Sequence, residues 1–121
     1  MHELSIAMRI VDIAAEIAAE ETAPGKGARV VAVHLTLGPL SGVVTEALAS
    51  AFEFARADSP LESARLVIEE TPITVRCPQC RETGAVESLM HLRCPRCGTP
   101  TADVVTGREL EVTSLEIEER E

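Results

Sequence analysis

Cys77-Pro78-Gln79-Cys80 and Cys94-Pro95-Arg96-Cys97 are two copies of one turn, with thirteen residues between Cys80 and Cys94. Two residues between cysteines let a single tight turn aim both sulfurs at one ion. Two such turns facing each other complete a tetrahedron with Zn–S bonds of ~2.3 Å. Pro78 and Pro95 preset the turns, and Gly98 is free to take a positive φ after the second pair. The spacing lies close to the two-knuckle zinc pattern, so Cys77, Cys80, Cys94 and Cys97 are expected to bind Zn(II). Four thiolates leave no open coordination position, which makes such a site structural rather than catalytic. Two disulfides would conflict with a reducing compartment, and a redox pair would sit at a strand-to-helix junction rather than in a proline turn.

A second metal-binding arrangement opens the chain at Met1-His2-Glu3. A histidine at position 2 puts the terminal amine, the His2 amide and the imidazole in chelating reach, a set suited to tetragonal Ni(II) or Cu(II). The competing reading is a frayed, solvated terminus in which Glu3 favours the dipole of a following helix. A helix N-terminus opposes a cation, so metal binding there requires deprotonated amides or unwinding of residues 1 to 3. His34 falls mid-strand and reads as structural. His91 lies in the cysteine segment, where four thiolates already fill the shell.

The composition narrows the function. The chain has 121 residues, a net charge of -9, and Phe52 and Phe54 as its only aromatic residues. Its core must therefore be aliphatic. A clustered positive surface for nucleic acid is not expected. Neither a membrane span nor a signal peptide is expected, because Glu3, Asp12 and Glu16 interrupt the first apolar stretch. The chain reads as cytoplasmic, where paired cysteines more often bind metal than each other. Residues 71 to 108 differ in charge, with three acids and five arginines. Arg76, Arg81, Arg93 and Arg96 either offset the thiolates or are ordinary solvated arginines. No Ser/His/Asp set, phosphate loop or open metal site with a base is present, so an enzyme is not expected.

The elements that must position these groups follow from periodicity. Ile6, Ile10, Ile13 and Ile17 recur at helical spacing and predict an amphipathic helix over residues 4 to 20. Residues 23 to 27 end it. Val31, Val33, Leu35 and Leu37 alternate, predicting a strand from Arg29 to Leu37. Ser41 is the expected N-cap of a second helix with Val44, Leu48, Phe52 and Ala55 on one face. Residues 58 to 60 stop it. A strand follows over Arg65–Thr71, and a last one over Glu109–Glu118. In the last strand the apolar phase shifts between Val112 and Leu115, which predicts a bulge at Thr113-Ser114. The order makes residues 73 to 107 an insertion between the second and third strands of one sheet.

Several further runs stand out beside the cysteine knuckles: Met1-His2-Glu3-Leu4-Ser5-Ile6, Leu37-Gly38-Pro39-Leu40-Ser41-Gly42-Val43 and Ala51-Phe52-Glu53-Phe54. Gly107-Arg108-Glu109-Leu110 and Ser114-Leu115-Glu116-Ile117 add to them. On these residues, in order over nearly its whole length, the chain resembles the HypA/HybF family of hydrogenase nickel-insertion accessory proteins. The resemblance implies an α+β fold. Residues 1–72 plus 108–121 would be a nickel-binding domain of two helices packed on a three-stranded sheet, and 73–107 an inserted four-cysteine, zinc-ribbon-like domain. It implies that His2 is the nickel ligand, completed by the Met1 amine and backbone nitrogens, with Glu3 supporting. Zinc would be structural and Ni(II) a transient cargo. The implied partners are a HypB-type GTPase and the large subunit of [NiFe]-hydrogenase, with urease served in some organisms and a homodimer left open. The rival reading is a zinc-ribbon interaction module with no nickel role.

Overall fold

Glu3–Glu20, free of proline and glycine, forms helix α1. The computed structural model describes residues 2–120. The buried face of α1 is Ala7, Ile10, Val11, Ala14 and Ala18, while Ile6, Ile13 and Ile17 are only half-buried. The stripe is thus centred on alanines, with most of the expected isoleucines moved to its flanks. Small side chains at the centre let a helix approach its neighbours closely, and the branched ones fill the margins. Thr22 closes the helix by donating from Oγ1 to the Ala18 carbonyl at 2.6 Å.

Strand β1 follows at Gly27–Leu37. It differs from the expected alternation, because Val30 and Ala32 are buried along with Val33, Leu35 and Leu37, while Val31 is half-buried. The inward phase changes between Ala32 and Val33. Residues 30 to 33 are all apolar, so either phase satisfies the core and the sequence does not choose between them.

Pro39–Ser41 is a single 3-10 turn closed by Gly42 at φ 82°. Helix α2 then runs Thr45–Ala55 with Val44 as its N-cap. Ser41 is therefore not the cap that its residue type suggests, and Val44 is 55% exposed rather than part of the packed face. The left-handed Gly42 turns the chain once more before the helix starts. Leu48 and Phe52 supply the buried side of α2, which packs on α1. The chain leaves α2 through Asp58 at φ 56°. Ser59 Oγ there donates to the Arg56 carbonyl at 2.7 Å and accepts from the Leu61 N–H at 3.0 Å.

Strand β2 is Arg65–Glu70. The cysteine segment contributes three further strands, β3 (Ile73–Arg76), β4 (Thr83–Val86) and β5 (Val104–Thr106), before β6 closes the chain at Leu110–Arg120. Two three-stranded sheets result, ordered β2-β1-β6 and β4-β3-β5. β3 is antiparallel to both of its neighbours, with a register shift toward β5 between Thr74 and Val75. In β6 the burial alternation changes phase at Thr113 and Ser114, two consecutive exposed residues. Thr113 Oγ1 donates to the His34 carbonyl on neighbouring β1 at 3.2 Å.

The chain divides into two compact units. One is Met1–Leu35, Val43–Ile68 and Val112–Glu121, and the other is Thr36–Gly42 with Glu69–Glu111. The first holds both α-helices and most of the first sheet, around a core that includes Leu35, Leu48, Phe52 and Leu61. The second holds the cysteines and the small sheet. It also takes in the Gly38–Gly42 turn and both chain segments that lead into and out of the insertion, so it is larger than residues 73–107.

Candidate metal centre

The two cysteine turns have the same hydrogen bonds at the same offsets. Cys77 N–H donates to the Glu82 carbonyl at 3.0 Å, and Cys94 N–H to that of Thr99 at 2.9 Å. Arg81 N–H returns to the Cys77 carbonyl and Gly98 N–H to that of Cys94, each at 2.9 Å. This closure requires a left-handed residue four positions after the first cysteine. The second knuckle has Gly98 at φ 75°, and the first has Arg81 at φ 59°. Gly98 was legible in the sequence. The conformation of Arg81 was not, although it occupies the same offset in the repeat.

The loops bring Cys77, Cys80, Cys94 and Cys97 together, with all four sulfurs within 4.8 Å of one another. Cys77 and Cys97 are 3.6 Å apart, and Cys80 and Cys94 are 3.5 Å apart. A tetrahedral tetrathiolate with ~2.3 Å bonds has edges of about 3.8 Å, so the donor set fits an ion of zinc's size and preference. Cys77 and Cys94 are buried and the other two exposed. β4 passes close to the second knuckle, since a methyl group on Gly84 would come within 2.6 Å of Pro95 Cγ.

The sulfurs are electrostatically unequal. The Cys80 N–H, with that of Gln79, pulls the Cys77 thiol down to about 6, against the desolvation that raises it. The equivalent amides of Cys97 and Arg96 lower Cys94. Cys80 is pushed up to about 12 because it hydrogen-bonds to Cys77 and Cys94 and shares their field. Thr99 Oγ1 lies 3.1 Å from Cys97 Sγ. Each knuckle thus turns backbone N–H groups toward its first sulfur, which favours the thiolate a metal needs.

His2 is far from the cysteines in sequence. It is the exposed N-cap of α1, with extended backbone (φ -87°, ψ 94°) and no side-chain capping bond. Its carbonyl accepts the first bond of the helix, from Ile6 N–H at 3.2 Å. The amides of residues 3 to 5 precede that bond and have no partner within the helix. Glu3 is half-buried in the first turn. The Met1 amine lies outside the described residues. His34 Nε2 is 2.8 Å from Glu116 Oε2, and His91 Nδ1 is 3.2 Å from Ser88 Oγ.

Residues 1–117 match the family model described as "Hydrogenase/urease nickel incorporation, metallochaperone, hypA". The chain belongs to the HypA family. A hydrogenase maturation factor HypA from Roseiflexus sp. (strain RS-1) is 48% identical over 119 residues, covering 98% of this chain and 94% of that protein. The HypA of Chloroflexus aurantiacus (strain ATCC 29366 / DSM 635 / J-10-fl) is 47% identical, with coverage of 96% and 98%. The solution structure of the Ni metallochaperone HypA from Helicobacter pylori superposes with a TM-score of 0.65 at 25% identity, covering 96% and 97% of the two chains. HypA membership makes this chain a factor of nickel incorporation and hydrogenase maturation. Among its described residues no helix is long and apolar enough to cross a membrane.

Proposed function

We propose that this chain carries Ni(II) on His2 and delivers it to the large subunit of [NiFe]-hydrogenase, while Cys77, Cys80, Cys94 and Cys97 hold a structural zinc ion. The observation that carries the nickel reading is the state of His2. It is an exposed imidazole at the start of a helix, has no capping bond, and adjoins backbone amides that the helix does not use. Together with the Met1 amine and backbone nitrogens, this is a nitrogen-rich set suited to tetragonal Ni(II), with Glu3 supporting it. The helix dipole opposes a cation there. Binding is then paid for by amide deprotonation, and the metal is easily surrendered, which suits a carrier.

The zinc would supply no reaction centre, since four thiolates complete its shell. It would close residues 73–107, whose strands are only three or four residues long, and stabilise them by on the order of 10 kcal/mol. The remaining residues, 1–72 and 108–121, form the nickel-carrying part in this reading. A HypB-type GTPase and the hydrogenase large subunit are the partners, in the cytoplasm, where thiols stay available for metal.

The test is calorimetric titration of Ni(II) into untagged, zinc-loaded protein and its His2→Ala variant, with zinc content measured in parallel. Loss of nickel binding with zinc retained is expected. Equal nickel titrations would favour the zinc-ribbon interaction module instead.

A further inference from the structure

Two of the four arginines that flank the cysteines are engaged. Arg93 donates to the Gly98 carbonyl at 3.3 Å, and Arg96 pairs with Glu82. Arg76 and Arg81 are exposed, and their side chains make no hydrogen bond or ion pair among the described residues. Both stand on one groove of about 510 Å³, beside Pro78, Pro100 and Ala102. Thr101 and Cys77, both buried, also line it. Thr101 Oγ1 donates to the Arg76 carbonyl at 2.8 Å and accepts from the Asp103 N–H at 3.1 Å. Asp103 also lines the groove but pairs with neither arginine.

Neither guanidinium touches the sulfurs. The groups that do are the amides of Gln79 and Cys80 at Cys77, those of Arg96 and Cys97 at Cys94, the Thr99 hydroxyl and the other thiols. Arg81 also sits at φ 59°, where the twin knuckle uses Gly98 with open space around it. An L-residue is disfavoured in that conformation, so the fold alone would prefer glycine. A strained backbone that keeps a long, unpaired cation on a groove is the kind of outlier from which a binding role follows.

We propose that Arg76 and Arg81 form a docking site for an acidic peptide segment of a partner protein. Guanidinium forks recognise carboxylates bidentately, and Pro78, Pro100 and Ala102 offer apolar walls for the aliphatic stems between them. The proposal does not depend on the cargo. It also differs from thiolate screening, in which the arginines would serve the metal rather than a partner.

The probe is a fluorescein-labelled hexaglutamate peptide, titrated by anisotropy into the zinc-loaded full chain, with arginine Nε–H resonances followed by NMR. On a chain of net charge -9, general attraction for such a peptide is absent, so binding must be local. Hexaglutamate is expected to bind, hexaglutamine not, and Arg76 and Arg81 to shift more than the other arginines. Arg76→Gln/Arg81→Gln should weaken binding roughly ten-fold or more with zinc content unchanged. Arg9→Gln/Arg108→Gln, the same change of charge, should leave it within roughly two-fold. Equal loss in both pairs, no loss in the first, or faster zinc release without a change in peptide binding would each overturn the proposal. So would tighter binding of a six-nucleotide single strand than of hexaglutamate.

Discussion

Gly38 and Gly107 approach so closely that no side-chain atom fits between them. A Cβ on Gly38 would overlap the Gly107 carbonyl and the Arg108 nitrogen. The approach is held by Leu40 N–H donating to the Gly107 carbonyl at 2.7 Å and Gly38 N–H to that of Glu109 at 2.8 Å. Gly38 itself has φ -100°, so its need for glycine is one of space and not of backbone conformation. Gly38→Ala should lower unfolding free energy by about 1–3 kcal/mol, as overpacking does. Urea unfolding of the zinc-loaded protein checks this, and a wild-type midpoint would refute it. Gly25→Ala is the contrast, with open space at φ 84°, where only a backbone penalty of about 1 kcal/mol applies.

Arg81→Gly should act in the opposite direction. Relief of the left-handed backbone at φ 59° should raise stability by about 1 kcal/mol, less the entropy glycine loses on folding. Thermal unfolding at fixed zinc reads the change. The same variant should bind hexaglutamate less well, so stability and docking would move apart. A fall in stability would mean that Arg81 contributes contacts absent from the hydrogen bonds described.

Glu109 gives a pH signature. Its Oε1 accepts from Thr71 Oγ1 at 2.6 Å and from Gly107 N–H at 2.8 Å, and these bonds hold its carboxyl below the usual carboxylate range. A depressed folded-state value contributes stability above the unfolded value of about 4.3 and loses it as pH falls through the folded one. Wild type should therefore exceed Glu109→Ala at neutral pH, with the gap narrowing in acid. Urea midpoints of both proteins from pH 7 to pH 3, taken as a difference, isolate this group from the thiols. A gap independent of pH would leave Glu109 with a packing role only.

Zinc uptake should release protons. Cys80 keeps its proton up to about 12 in the metal-free cluster, whereas Cys77 gives its up near 6. Titration in buffers of different ionisation enthalpy should show net release at pH 7, with apparent affinity rising with pH. Chelation should then erase amide-exchange protection in residues 73–107 and spare Leu48 and Phe52. Uniform loss of protection would show that the chain unfolds as one unit.

Both helices, three of the strands and the cysteine repeat were legible in the sequence, because each is carried by periodicity or by fixed spacing, while the α+β class came with the family resemblance. What escaped depended on contacts the pattern does not record. β3, β4 and β5 do alternate in burial, but over only three or four residues each, too few for the apolar pattern to mark a strand in the sequence. Ser41 is the right residue type for a cap, but Gly42 bends the chain after it and passes that place to Val44. In β6 the polar Thr113-Ser114 pair made the phase change visible, whereas the apolar run Val30–Val33 hid the corresponding change in β1. At the candidate metal centre the ligand set was readable. The strained Arg81 and the Glu109 clasp were not, since one is a backbone angle and the other joins residues 38 positions apart.

That last bond has an architectural consequence. Thr71 and Glu109 are separated by one hydrogen bond of 2.6 Å, although the whole cysteine segment lies between them in sequence. The chain departs and returns through a single doorway. A segment whose ends meet this way can be excised and the gap bridged by a tight turn, or exchanged for another, without stretching either flanking strand. A deletion that joins residue 71 to residue 109 through a short glycine turn would remove the cysteines while keeping both flanking strands, at the cost of the Gly107 carbonyl that Leu40 uses.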